Sequence, residues 1–370
     1  MYPQITTDCG PGEWRNESTQ KPPKQAVSLH DAGAAAILDQ ARQDTAVIWR
    51  GDFHNAKQVL AALKKRLRAK RPSEKNDLTP AERFHRHRMR QAQQSRTVNM
   101  LAVEIGAGFR LELPRAPDVR AALADVYGEE NDTPFLLPLN RLLGFVGAHE
   151  WHKKGVDIPA LGGRIHVPFG VFSPLRGEYL ELLMRAELPP SFQTAFDIGT
   201  GSGVLAALLA KRGLRRITAT DNNPRALSCA GDNIRRLGLQ RQIGIEAADL
   251  FPEGCADLIV CNPPWLPAKP TSAVETALYD PDHAMLRGFL HGARNHLNGG
   301  GEVWLIMSDL AEHLGLRAAD FLPRCFQTAG LSLIETLHIR PQHGKAVSTD
   351  DPLAFARNRE TTFLYRLKAE

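Results

Sequence analysis

The chain reads Asp197-Ile198-Gly199-Thr200-Gly201-Ser202-Gly203 after a short apolar run, and an apolar helix-forming stretch follows it. Small residues at this spacing let the backbone turn tightly and approach a ligand, while the next helix offers unpaired N–H groups at its start. A dinucleotide fingerprint beginning at Gly199 needs Gly or Ala at position 204, but Val204 stands there. The spacing argues against NAD. Twenty residues beyond Gly201, Asp221 closes a second apolar run, where a carboxylate can accept from the two hydroxyls of a ribose. Asp249, followed by Leu250 and Phe251, closes a third, placed to accept from an adenine amino group with apolar neighbours flanking the ring. Either aspartate alone could merely cap a loop. In this order behind the glycine turn, the carboxylates at successive strand ends match the parts of a nucleoside.

A second constellation follows a fourth apolar run as Asn262-Pro263-Pro264-Trp265. Consecutive prolines fix the backbone and remove two N–H donors, so the neighbouring carbonyls and the Asn262 amide oxygen become rigid acceptors. Such acceptors suit an NH2 group: both hydrogens held, by the Asn262 side chain and the Pro263 carbonyl, turn the nitrogen lone pair toward a third point where an electrophilic methyl could sit. Trp265 adds a face for a planar amide or nucleobase.

With these motifs in place, the stretch from about 164 to 370 resembles the class I S-adenosylmethionine-dependent methyltransferases, in the subgroup with an NPP-aromatic turn. The segments that carry the likeness are DIGTGSG, TATDNNP, AADLF and NPPW. The resemblance implies a Rossmann-like α/β fold with a seven-stranded, mostly parallel sheet and an antiparallel last strand, and S-adenosyl-L-methionine as cofactor. Carried over, Asp197, Gly199, Gly201, Gly203, Asp221, Asn222, Asp249, Leu250 and Asn262 would bind the cofactor. Asn262, Pro263, Pro264 and Trp265 would hold the methyl acceptor. Members of the subgroup methylate glutamine side chains in release factors and a ribosomal protein, adenine in nucleic acids, or the guanine amine of ribosomal RNA. The segment FGVFSP at 169–174 also looks like the one preceding the glycine turn in the rRNA guanine and release-factor enzymes, which makes Phe172 a candidate substrate contact.

The elements that must position these motifs alternate. Strands are expected at 194–198, 216–220, 243–246, 258–261, 302–307, 331–338 and 362–367, with helices between the first five, which predicts right-handed crossovers and a parallel sheet. Ahead of them lies a different region. Residues 1–25 mix Pro, Gly, Thr and charge without an apolar period and read as a flexible tail. Residues 26–150 read as a smaller α+β domain for substrate recognition, and 151–370 as the methyltransferase domain. In the smaller domain a helix and the strand AVIW are expected between 28 and 49, a helix over 55–70, and a hairpin pairing 98–105 with 109–113. Thr79, Pro80 and Glu82 form a capping box that opens a helix whose only packing residues would be Phe84, Met89 and Ala92.

Charge is local. The 370 residues carry a net +5, yet 57–96 hold thirteen Lys and Arg against three Asp and Glu. So few anions leave little internal pairing, which favours a phosphate-tracking surface with Arg83, Arg86, Arg88 and Arg90 as substrate contacts over a merely exposed pair of charged helices. The expected acceptor is therefore an exocyclic amine of a nucleobase, in RNA. The alternative is a glutamine side chain in a translation-related protein; a non-catalytic RNA-binding protein on the same fold would have lost the glycines or the NPP turn. His149-Glu150-Trp151-His152 lacks the spacing of a zincin helix, so no metal is expected. His85 and His87 read as surface or phosphate contacts. Five scattered cysteines encode no disulfide framework, and the lack of a signal segment or long apolar run predicts a cytoplasmic protein without a membrane span.

Overall fold

The computed structural model describes residues 2–69, 77–128, 132–341 and 351–370. The chain divides into two compact units, one running to Leu78 and then over His85–His152, the other comprising Thr79–Phe84 and Lys153–Glu370.

The first unit contains β1 (Gln4–Thr7), β2 (Gly10–Glu13), β3 (Gln25–Leu29), α1 (Ala34–Arg42), β4 (Thr45–Trp49), α2 (Phe53–Ala69), most of α3 (Pro80–Val98), β5 (Leu101–Ile105), α4 (Arg120–Tyr127), β6 (Phe135–Pro138) and α5 (Leu139–Lys154). Its strands form one sheet in the order β2-β1-β3-β4-β5-β6. β3, β4 and β5 are parallel, and β6 returns antiparallel to β5. The run TAVIW of β4 is buried throughout, as a parallel strand covered on both faces must be.

Three expectations fail here. Residues 4–7 and 10–13 are strands and no flexible tail: Ile5 and Trp14 are buried against Ala26, Ile48 and Leu136, and the Arg15 N–H donates to the Leu136 carbonyl. Those partners lie far along the chain, so no local apolar period announces them. The hairpin of 98–105 with 109–113 does not form. β5 pairs with β6 instead, because the chain bends after Gly106 and buries Phe109 against Phe135 and Tyr127. In α3 Phe84 is buried, but Met89 is 58% exposed and Ala92 is exposed too. The capping box is present: the Thr79 N–H donates to Glu82 Oε2 at 2.8 Å, and the Glu82 N–H to Thr79 Oγ1 at 3.3 Å.

The second unit adds a small antiparallel pair, β7 (Val156–Ile158) and β8 (Gly163–Ile165), and then α6 (Glu178–Arg185), β9 (Thr194–Ile198), α7 (Val204–Lys211), β10 (Arg216–Asp221), α8 (Pro224–Arg236), β11 (Ile243–Ala247) and β12 (Ala256–Cys261). Beyond these come α9 (Ala284–Ala293), β13 (Leu297–Ser308), α10 (Leu310–His313), α11 (Phe321–Thr328), β14 (Leu331–Ile339), α12 (Ala354–Arg357) and β15 (Thr362–Ala369). The large sheet runs β11-β10-β9-β12-β13-β15-β14, and β15 is antiparallel to both neighbours. It is the expected seven-stranded Rossmann-like α/β sheet.

Two cores sandwich this sheet, and the strand period of two assigns residues to them. Leu258 and Val260 join α6, α7 and α8 in one core; Ile259 and Cys261 join α9 and α11 in the other. β9 and β12 are adjacent although β10 and β11 lie on the far side of β9, so the connections change direction there. In an open α/β sheet a crevice forms at that point, outside the carboxyl ends of the strands.

Candidate active site

A cavity of about 1420 Å³ occupies the crevice, and all of its lining comes from the second unit. Its floor is the glycine turn between β9 and α7. Gly201 has φ +55, and a Cβ there would meet nothing within 4 Å, so the turn leaves open room for a close ligand. Gly203, also left-handed at φ +80, does not line the cavity: a Cβ on it would sit 3.2 Å from Ala230 Cα, so its glycine is required by the approach of α7 to α8. Gly199 lines the cavity.

Asp197 is fully buried and stands behind the turn, outside the lining. Its Oδ2 accepts from the Thr200 hydroxyl at 2.6 Å and the Ala206 N–H at 3.1 Å, which ties the turn to the start of α7. Oδ1 has no partner among the described residues. Burial pushes this carboxyl up to about 6, with Asp221 adding repulsion, against the two hydrogen bonds that favour the charged form.

At the end of β10, Asp221 lines the cavity and also braces its wall. Oδ2 accepts from the Gly201 N–H at 3.0 Å and Oδ1 from the Asn223 N–H at 2.9 Å. Each oxygen keeps a second lone pair for a ligand hydroxyl. Asn222 is an exposed lining residue, while Asn223 caps α8 by accepting from the Arg225 N–H ahead of Pro224 at the first helical position. Asp249 and Leu250 line the cavity beyond β11. Leu250 adopts φ +76, uncommon for a side chain of its size, and the Thr220 hydroxyl holds its carbonyl at 2.5 Å.

The turn after β12 brings Asn262, Pro263, Pro264 and Trp265 to the same cavity. Trp265 Nε1–H donates to Asn262 Oδ1 at 2.9 Å, so this oxygen is already oriented and has one lone pair left. Phe172 also lines the cavity.

Sequence reasoning missed a second layer. Arg176, a lining residue, stacks its guanidinium 5.2 Å over the Trp265 ring, donates to Glu178 at 2.6 Å and reaches Glu360 at 3.1 Å. Glu360 in turn accepts from the Ser308 hydroxyl at 2.8 Å. The Arg176-x-Glu178 spacing just beyond FGVFSP offered a local signal; Glu360 offered none. Asp280, also lining, caps α9 by accepting from the Met285 and Leu286 N–H groups, both at 3.0 Å. Of the four arginines expected at the substrate site, none lines this cavity. Arg83 lies 5.6 Å over Phe355, and Arg86, Arg88 and Arg90 belong to the first unit.

Residues 163–331 match the family model of the methyltransferase small domain. Over this stretch the chain is similar to methyltransferases. Among relatives, the release factor glutamine methyltransferase of Cereibacter sphaeroides is 34% identical over 166 residues, 39% of this chain and 59% of its own. The ribosomal protein uL3 glutamine methyltransferase of Neisseria gonorrhoeae is 36% identical over 129 residues, 34% of this chain and 42% of its own. The chain thus spans about half the length of these relatives. A ribosomal protein L11 methylase from Lactobacillus delbrueckii superposes over 56% of this chain and 85% of its own, at 18% identity and a TM-score of 0.38. The cofactor of such proteins is S-adenosylmethionine, and the cavity fits it: open space at Gly201 and a braced carboxylate at Asp221. No described helix is long and apolar enough to cross a membrane.

Proposed function

We propose that this chain transfers the methyl group of S-adenosylmethionine to the side-chain amide nitrogen of a glutamine in a translation-related protein. The observation that carries the reading is the rigid Asn262-Pro263-Pro264-Trp265 turn facing the same cavity as Gly201 and Asp221. The names of the matching relatives favour glutamine over the nucleobase amine expected from the basic segment.

The cofactor supplies a methyl already activated on a sulfonium. The chain's residues supply position. Gly201 gives room, Asp221 takes the ribose hydroxyls, and Asp249 with Leu250 takes the adenine. Asn262 Oδ1 and the Pro263 carbonyl each accept one hydrogen of the acceptor NH2, with Trp265 below the amide plane. Held so, the acceptor nitrogen would present its lone pair to the sulfonium methyl, its new bond to carbon replacing the carbon–sulfur bond and its proton passing to water. Such positioning can lower the barrier by roughly 7–11 kcal/mol, so no general base is needed.

The test is tritiated methyl transfer by the full chain to purified release factors, ribosomal proteins and ribosomal RNA, with mass spectrometry of the labelled product. The expected result is label on a glutamine. Label confined to RNA would overturn the glutamine assignment while keeping the chemistry, and no transfer to either class would overturn both.

A further inference from the structure

The first unit contains a cluster that methyl transfer does not use. α4 carries Asp125, and α5 carries His149 and His152, which share a helix face three residues apart. His149 Nδ1 lies 2.6 Å from Asp125 Oδ2, and His152 Nδ1 lies 3.0 Å from the same oxygen. The side chains are partly shielded, at 16%, 27% and 24% exposure for His149, His152 and Asp125. One atom from each comes within 4.8 Å of the others.

We propose that Asp125, His149 and His152 bind a divalent transition metal, zinc being the one their donors suit best. Two imidazole nitrogens and a carboxylate oxygen are a common three-ligand zinc set, with the fourth tetrahedral position left to water. Zinc bonds of about 2.0–2.2 Å separate tetrahedral donors by roughly 3.3 Å, so each ring nitrogen would move less than an ångström from the Asp125 oxygen to share the ion with it. Spacing within 149–152 alone excludes a zincin helix; the third donor comes from another helix, 24 residues upstream of His149. Bound there, the ion would cross-link α4 to α5.

Full-length protein, stripped with chelator, is titrated calorimetrically with zinc chloride beside the His149→Ala/His152→Ala and Asp125→Asn variants, and cobalt absorption reports the coordination. Asp125→Asn retains an oxygen acceptor for both rings but loses the carboxylate, so it separates a metal site from a hydrogen-bonded triad even where the double variant fails to fold. The expected result is one equivalent of zinc, raising Tm, with affinity reduced at least about tenfold in both variants. An isotherm unchanged in Asp125→Asn, or no uptake by the wild type, would overturn the site.

Discussion

At the residue scale, the two carboxylates behind the glycine turn do different work. Asp221→Ala removes a ribose partner and also frees the Gly201 and Asn223 N–H groups it holds. Hydrogen bonds to a charged group contribute about 1.5–3 kcal/mol each, so S-adenosylmethionine affinity should fall at least about tenfold by calorimetry. Unchanged affinity would remove Asp221 from the cofactor site. Asn262→Ala should instead abolish transfer with cofactor affinity within a few-fold, since its oxygen is assigned to the acceptor. Wild-type turnover by that variant would sink the assignment. Asp197 binds its proton more tightly folded than unfolded, its carboxyl rising from 3.8 to about 6. The stability it contributes is therefore complete below pH 3.8 and is lost as pH rises through 6. A cationic ligand opposes the shift and expels the proton. Cofactor binding should release up to about half a proton at pH 6 and almost none at pH 8, read from the buffer dependence of the binding heat. Buffer-independent heat at pH 6, or the same release in Asp197→Asn, would count against this role.

At the element scale, the antiparallel last strand is fixed by a buried ion pair. Arg366 on β15 donates to Glu302 on β13 at 2.9 and 3.0 Å, and Trp304 Nε1–H donates to the same carboxylate. Glu302→Ala leaves a buried guanidinium short of its partner and a buried indole N–H without its acceptor. Removing one member of such a pair costs about 3–5 kcal/mol, the lower end applying here because Arg366 keeps Glu335. The urea midpoint should fall accordingly, and a loss below about 1 kcal/mol would show that packing alone holds β15 in place.

At the scale of the whole molecule, the family match covers 163–331 while the cationic stretch lies outside it. If the acceptor is a protein, transfer should fall only shallowly with salt, and Arg86→Gln/Arg90→Gln should leave that slope unaltered. An RNA acceptor predicts a log–log slope of about −0.7 per phosphate contact on single strands, flattened in the double variant. The second outcome would restore the nucleobase reading.

Nearly every strand of the second unit's large sheet is legible in the amino-acid sequence. Most of those strands are short, apolar runs, though no helix stands between β11 and β12 where one was expected, and the motif residues facing the cavity sit at strand ends, where motif and position coincide. The capping box at Thr79, whose partners are three residues apart, is legible too. The rest depends on partners that are remote in the chain. Ile5 and Trp14 become core only once β4 and β6 arrive. β5 finds β6 across an intervening helix. Gly203 serves helix packing because Ala230 lies opposite, Arg176 reaches Glu360 on the far side of the domain sequence, and Asp125 completes a cluster that the spacing of His149 and His152 alone would dismiss. Local periodicity reports the burial that a single element demands; it carries no record of which distant side chain will supply it.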